Sequence, residues 1–157
     1  MAAVICRLFG SLILIAVIAS LLPVTVPRFM GYGIYSVVSG SMEPELPVGS
    51  IAYVKPEEPA LLQEGDVIAF QNQGSVVMHR VVANHPVDKV LTTKGDANEI
   101  EDFGEVRYEY VIGRVEKHYP MLGQVMMICT AAPGRILLLC LAVCGVLLHV
   151  LAGRFAE

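Results

Sequence analysis

Hydrophobic and polar positions divide the chain into two apolar runs and a polar middle. The first run covers residues 8–27, between Arg7 and Arg28, and contains no charged residue. The second run covers residues 136–152, and its only polar interruption is His149. A helix of about 20 apolar residues crosses a bilayer core of about 30 Å, so both runs predict transmembrane helices.

This pattern predicts three parts in the chain: an N-terminal transmembrane anchor at residues 1–28, a polar domain at 29–120, and a C-terminal part at 121–157. The C-terminal part begins with an apolar segment at 121–130, too short to span alone, which we interpret as an interfacial helix before the second span. A cleaved signal peptide is the alternative for the first run, although prolines and valines crowd its candidate exit site. A buried core helix is the alternative for the second.

The polar middle has the pattern of short β-strands. Its apolar segments are rich in β-branched residues and are separated by turn signals that contain glycine or proline. We therefore predict a mainly β fold, in which an antiparallel β domain stands between an N-terminal and a C-terminal transmembrane helix. The predicted strands cover residues 50–54, 66–70, 76–82, 89–93 and 111–115.

Charge and cysteine positions exclude some functions. Residues 28–120 hold eight Lys and Arg against fourteen Asp and Glu, a net charge of −6, which argues against a nucleic-acid partner. None of the four cysteines lies in the polar middle, so neither a disulfide framework nor a metal site is indicated. They are Cys6, Cys129, Cys140 and Cys144.

A Ser-Gly-Ser turn stopped by Pro44 is the first candidate for chemistry. A serine beside glycine can present its hydroxyl with little steric cover, which makes Ser41 a candidate nucleophile, although most such turns are only turns. A serine needs a base before it attacks an amide. His79 lies in the middle of a predicted apolar strand, where an unpaired imidazole would destabilise the strand. Lys94, before a turn, is the rival base.

Two of the four aspartates follow within one short segment, Asp96 in a Gly-Asp turn and Asp102 six residues later. A carboxylate that orients a histidine and stabilises its imidazolium would complete a Ser-His-Asp triad. An aspartate in such a turn can instead cap its own backbone. We expect one of the two aspartates to belong to the triad and the other to cap the turn.

The chain resembles the type I signal peptidases of the endoplasmic-reticulum type, a branch found in eukaryotic signal peptidase complexes, archaea and some Gram-positive bacteria. The motifs that carry the resemblance are Ser-Gly-Ser-Met-x-Pro (39–44), Gly-Asp-Val-Ile-x-Phe (65–70), His-Arg-Val (79–81), Lys-Gly-Asp-x-Asn (94–98) and Val-Ile-Gly-Arg-Val (111–115). Each motif is modest alone, and together, in this order after a membrane anchor, they are specific.

The resemblance implies a role for five side chains. Ser41 matches the nucleophile, and His79 stands where ordinary bacterial members carry a lysine base. Asp102 matches the acid that pairs with the histidine, and Asp96 matches an aspartate near the site, to which we assign a supporting role. Ser39 matches the residue whose hydroxyl joins the Ser41 N–H in an oxyanion hole.

The resemblance also implies a signal-peptide-processing enzyme in the membrane that needs no cofactor. Its substrates would be preproteins cut after small-x-small sites, and its other partners the lipid bilayer and a translocase. The catalytic domain would lie on the extracytoplasmic or lumenal face. Val38 and Ala97 replace a common proline and asparagine, and neither change touches the chemistry. Two alternatives remain, a self-cleaving repressor-like peptidase and a non-catalytic subunit or adaptor of an export complex.

Overall fold

A computed structural model of the chain describes residues 1–155. These residues form two compact units, one from residues 27–125 and the other from residues 1–26 together with those from 126 onward. The helices are α1 (Ala2–Phe29), α2 (Leu122–Thr130) and α3 (Ala132–Arg154). The strands are β1 (Gly33–Ser36), β2 (Ile51–Lys55), β3 (Val67–Asn72), β4 (Ser75–His85), β5 (Val90–Lys94), β6 (Val106–Arg107) and β7 (Val111–Tyr119).

The two long helices, α1 and α3, coincide with the apolar runs of the sequence. Both are long and apolar enough to cross a membrane, and only 6% and 11% of their most apolar windows are buried by the protein itself. A core helix of a soluble protein would bury a much larger share of such a window, so α3 does not have the surroundings of a core helix. The mainly β, antiparallel domain with an apolar helix near each end is confirmed.

Glycine contacts bring α1 and α3 together. A Cβ added at Gly10 would lie 2.9 Å from the Gly145 carbonyl oxygen, and one at Gly145 would lie 2.9 Å from Leu14 Cγ. Small residues at such positions allow two apolar helices to approach closely. The Ser11 hydroxyl lies 3.3 Å from His149 Nε2 beside this contact, so the one histidine of α3 has a polar partner on α1.

The seven strands of the described chain form one antiparallel sheet in the order β1-β2-β7-β3-β4-β5-β6. Side chains alternate between the two faces of a strand, and neighbouring residues of β4 therefore join different hydrophobic clusters. Val77 and Val81 pack with Ile68 and Phe70, whereas Met78 packs with a cluster around Met42. His79 has the same phase as Val77 and Val81, so its imidazole lies on their face of the sheet.

The register of β4 depends on the turn that precedes it. Gln73 and Gly74 connect β3 to β4 and both have positive φ, 48° and 83°, as a type I′ two-residue hairpin turn requires. This turn pairs Asn72 with Ser75 and, further along, Ile68 with His79. Pairing between β3 and β4 therefore sets the position of His79 along the sheet.

One side of β4 is only half covered by its neighbour. β5 pairs with β4 from Arg80 to His85 and not before, while β3 pairs along residues 67–72 on the other side. In the described part of the chain, residues 75–79 of β4 thus have a strand neighbour on one side only. The segment that follows β5 leaves the sheet at this point, and the candidate site residues lie around the resulting gap.

Candidate active site

His79 and Asp102 form a close pair. The His79 side chain is 11% exposed, and its Nδ1 lies 2.5 Å from Oδ2 of Asp102. A carboxylate only accepts hydrogen bonds, so with ionised Asp102 the Nδ1 atom carries the hydrogen and Nε2 is the atom that can accept a proton. The cost of burying a histidine in a strand is thus offset by a specific partner.

Asp102 is itself held on β5. The Thr93 hydroxyl donates to the same Oδ2 atom at 2.7 Å, and the Asp102 backbone N–H donates to the Thr93 carbonyl oxygen at 2.9 Å. Thr93 is fully buried and is in phase with Leu91 of the hydrophobic core. The carboxylate therefore has little freedom to leave the imidazole.

Phe70 restricts the imidazole from a second direction. Its ring lies 6.2 Å from the His79 ring, centroid to centroid, at an interplanar angle of 70°. Edge-to-face packing of this kind is favourable and fixes ring orientation. The ring of His79 is thus positioned by a core aromatic residue and by a hydrogen-bonded carboxylate.

Ser41 is held by its backbone against the turn after β5. Its carbonyl oxygen accepts a hydrogen bond from the Ala97 N–H at 2.9 Å. Gly95 permits this approach, because a Cβ at that position would lie 2.6 Å from the same oxygen. The next residue, Met42, is 2% exposed and anchors the serine turn in the second hydrophobic cluster. The Ser41 side chain itself remains partly exposed.

Asp96 joins this turn to β4. Its two carboxylate oxygens accept hydrogen bonds from Nε and Nη2 of Arg80 at 2.8 and 2.5 Å, and Nη1 of Arg80 donates to the Gly65 carbonyl oxygen at 2.7 Å. The bond to Asp96 raises the pKa of the Arg80 guanidinium. Because Arg80 directly follows His79, this bidentate pair ties the turn that contacts Ser41 to the strand that carries the imidazole.

Two cavities lie along β4, and Val77 lines both. A small cavity of about 70 Å³ is lined by residues that include Ser39 and Ser41. A larger cavity of about 390 Å³ is lined by residues that include His79 and Asp102. Within residues 1–155, the Ser41 hydroxyl has no hydrogen bond to the imidazole; such contacts are often long in a free enzyme and shorten when substrate binds.

The structure therefore brings His79, Asp102 and Thr93 together and places Ser41 with Ser39 in the neighbouring cavity. Lys94, the rival base, pairs with Arg80 in the β-ladder and lines neither cavity.

Sequence reasoning missed Thr93, Phe70 and Arg80. The alternation of buried positions in the fifth strand contains a signal for Thr93, since the hydroxyl falls at a position that the pattern reserves for the core. For Arg80 the signal is its charge. The arginine directly follows the histidine, and the later Gly-Asp turn contains one carboxylate, Asp96, that could pair with it. No comparable signal identifies Phe70 as a neighbour of the imidazole.

Comparison with known proteins gives a consistent answer, although no family model matches the chain. Signal peptidase I W of Bacillus subtilis is 44% identical over 89 residues, which cover 54% of this chain and 47% of that protein. The signal peptidase complex catalytic subunit SEC11 of Scheffersomyces stipitis is 33% identical over 106 residues, 60% of this chain and 63% of that protein. The human subunit SEC11C is 30% identical over 109 residues, 62% of this chain and 57% of that protein.

The matched region thus spans between 47% and 63% of the length of these three relatives. These relatives are named as signal peptidases, which is the family that the motifs around Ser41, His79 and Asp96 indicate. The resemblance of this chain to the type I signal peptidases of the endoplasmic-reticulum type is confirmed.

Proposed function

We propose that the protein is a membrane-bound serine endopeptidase that removes N-terminal signal peptides from exported preproteins. The relatives that are named signal peptidases support signal-peptide processing, and the two apolar helices support an association with membranes. The observation that carries the serine mechanism is the 2.5 Å contact between His79 Nδ1 and Asp102, beside a cavity that Ser41 lines.

The proposed reaction begins when Nε2 of His79 accepts the Ser41 proton and Oγ of Ser41 attacks the scissile carbonyl carbon. Asp102 stabilises the imidazolium through Nδ1, and the Ser41 N–H and the Ser39 hydroxyl stabilise the oxyanion. The C–N bond then breaks, and the leaving amine takes the proton from the imidazolium. Water, deprotonated by the same imidazole, hydrolyses the acyl-enzyme and restores the serine.

Each group has a defined share in this scheme. General acid–base catalysis contributes about 10²–10⁴-fold, and one oxyanion donor contributes about 10²–10³-fold. Asp96 acts through Arg80 and the turn at residues 95–98, so it is a positioning residue rather than a group that touches substrate.

The shape of the Ser41 cavity supports cleavage after small side chains. Its volume of about 70 Å³ is several times smaller than the 300 Å³ or more of a typical ligand pocket, and its lining includes Val37, Met78 and Leu46 beside the serines. A cavity of this size accommodates an alanine methyl group more readily than a leucine or an aromatic side chain. A small-x-small cleavage site is therefore the substrate that this cavity favours.

The half-covered edge of β4 supports a strand-like substrate. Residues 75–79 offer backbone donors and acceptors on the side that β5 leaves open, next to the Ser41 turn. An extended peptide that pairs with this edge gains main-chain hydrogen bonds, and its alternate side chains enter the cavities. This arrangement recognises the extended cleavage region of a signal peptide without requiring a particular sequence beyond small residues.

The proposed setting is a membrane, with the catalytic domain on its extracytoplasmic or lumenal side. Ser41 follows α1, which ends at Phe29, after a short connection and one strand. A signal peptide places its apolar region in the bilayer and its cleavage site just beyond it, so a short tether between span and nucleophile suits this substrate. Association with a translocase is part of the same proposal.

Cleavage of a model preprotein in liposomes tests the proposed function. We expect the wild-type protein to cut once, after a small-x-small site, and the mass of the product to locate that cut. Ser41→Ala should abolish cleavage, while Ser20→Ala, which removes a hydroxyl that donates to the Val17 carbonyl oxygen within α1, should leave it unchanged. A wild-type protein that does not cut, but still binds an export complex, would support the non-catalytic adaptor instead.

A further inference from the structure

We infer that the cavity beside the imidazole binds the first residues of the mature protein, with Phe103 and Glu105 as specificity-determining residues. This cavity has a volume of about 390 Å³ and is lined by His79 and Val77, and Val77 also lines the small cavity that Ser41 lines. The inference rests on the proposed function and extends it to the part of the substrate beyond the scissile bond.

The direction of the substrate follows from the chemistry of the leaving group. In the first half of the reaction the imidazole donates its proton to the leaving amine while the C–N bond breaks, so the amine must lie next to Nε2 of His79. The acyl part remains bonded to Ser41 Oγ. Residues before the cut therefore lie along the Ser41 cavity, and residues after the cut continue from the imidazole into the cavity that His79 lines.

The cavity assigned to the residues after the cut is the larger of the two, as this assignment requires. The volume on the His79 side is more than five times that on the Ser41 side, about 390 against about 70 Å³. A signal peptidase must read the residues before the cut closely but must release many different mature proteins. A roomy cavity after the cut and a narrow one before it satisfy both needs.

Phe103 gives the larger cavity an apolar rim. Its side chain is 97% exposed, although it follows Asp102 directly and lines the cavity. An exposed aromatic ring at the mouth of a cavity gains favourable burial when a ligand side chain covers it. We expect the ring to contact apolar side chains at the first positions of the mature protein.

Glu105 gives the cavity its charge. The lining contains the carboxylates of Asp102 and Glu105, and none of its members, all within the described residues 1–155, is Lys or Arg. Asp102 is paired with His79, while the Glu105 side chain lies at the exposed rim without an ion pair among the described residues. The cavity therefore favours basic residues after the cut and the ammonium group of the newly formed N-terminus.

Competition between matched substrates tests this inference. The substrates share one signal peptide and one cleavage site and carry Lys, Glu, Ala or Phe at both of the first two mature positions. For the wild-type protein we expect kcat/KM to be roughly two- to fivefold higher with Lys than with Glu, the range of a partly exposed ion pair. Glu105→Gln should remove this difference, and Glu99→Gln, exposed in the same loop but outside the cavity, should keep it.

The Phe substrates test the aromatic rim. We expect Phe103→Ala to lower kcat/KM for Phe relative to Ala by roughly three- to tenfold, the loss of one aromatic contact. Val87→Ala is the control, because Val87 is 94% exposed in the turn between β4 and β5 and lines no part of the cavity.

The outcomes separate this inference from the proposed function. A further substrate pair carries Ala or Leu at the residue before the cut, and none of the four variants should change the preference for Ala in this pair. A Lys-to-Glu ratio that stays the same in Glu105→Gln, or a change in preference before the cut, would overturn the inference while normal cleavage leaves the proposed function intact. Absence of cleavage of the Ala substrate by wild-type protein would overturn both.

Discussion

The substitution Asp102→Asn separates catalysis from stability most clearly at this site. Oδ2 of Asp102 accepts two hydrogen bonds, from His79 Nδ1 at 2.5 Å and from Thr93 Oγ1 at 2.7 Å. An asparagine oxygen can still accept both bonds, but the neutral amide no longer stabilises an imidazolium and can turn its NH₂ group toward the ring. In a Ser-His-Asp triad this exchange lowers kcat by about 10⁴-fold, which corresponds to about 5.5 kcal/mol in the barrier.

The expected cost in stability is much smaller. Hydrogen bonds to a charged group contribute about 1.5–3 kcal/mol when buried, and the Asp102 side chain is 22% exposed, which lowers its share. We therefore expect Asp102→Asn to reduce the free energy of unfolding by about 1–2 kcal/mol. The protein should remain folded while it loses nearly all activity.

The assay combines kcat at saturating preprotein in liposomes with denaturant unfolding of the same samples. Asp96→Asn is the matched control, because it removes the ion pair with Arg80 rather than the partner of the imidazole. It should cost about 1 kcal/mol of stability and less than tenfold in kcat. If Asp102→Asn kept kcat within tenfold of wild type while Ser41→Ala abolished it, the triad reasoning would be wrong.

Three further substitutions test the support around the site. Thr93→Val removes one donor to Asp102 and should lower kcat about tenfold, with recovery in Thr93→Ser, as measured with saturating preprotein. Gly95→Ala places a Cβ 2.6 Å from the Ser41 carbonyl oxygen and should cost about 1–3 kcal/mol in denaturant unfolding together with a loss of kcat. Lys94→Ala should change kcat by less than about threefold, because Lys94 lines neither cavity and a partly exposed charge contributes little.

Each of these predictions has a contradicting result. Thr93→Ser that is as impaired as Thr93→Val would assign the effect to packing and not to the hydroxyl. Gly95→Ala with unchanged stability would mean that the turn moves away from Ser41 at no cost. Loss of activity in Lys94→Ala, with full activity in His79→Ala, would transfer the role of base to the lysine.

The strands that sequence patterns predicted are those rich in β-branched residues. All five are present, with ends displaced by up to four residues, as in β7, which continues to Tyr119 instead of ending near Val115. The four-residue β1 and the two-residue β6 were missed, because segments this short contain too few positions to establish an alternation. Their places in the sheet depend on pairing with distant partners.

The candidate site, like the strands, was predictable from the sequence only in part. A strand histidine and an aspartate after a Gly-Asp turn are visible in the sequence, and the structure places the two side chains in contact. Their catalytic role stays a prediction. The contributions of Phe70 and Gly95 depend on close approaches between segments far apart in the chain. Sequence patterns report which face of a strand a residue occupies but not which distant side chain it meets.

The central claim is that Ser41 acts as a nucleophile that His79 activates, and covalent labelling measures this most directly. An acylating or phosphonylating serine probe would be incubated with wild-type protein and with His79→Ala, and the adduct located by peptide mass. We expect one adduct on Ser41 in the wild type and a labelling rate at least 10²-fold lower in His79→Ala. An adduct on another residue, or equal labelling of Ser41 in both proteins, would contradict the account.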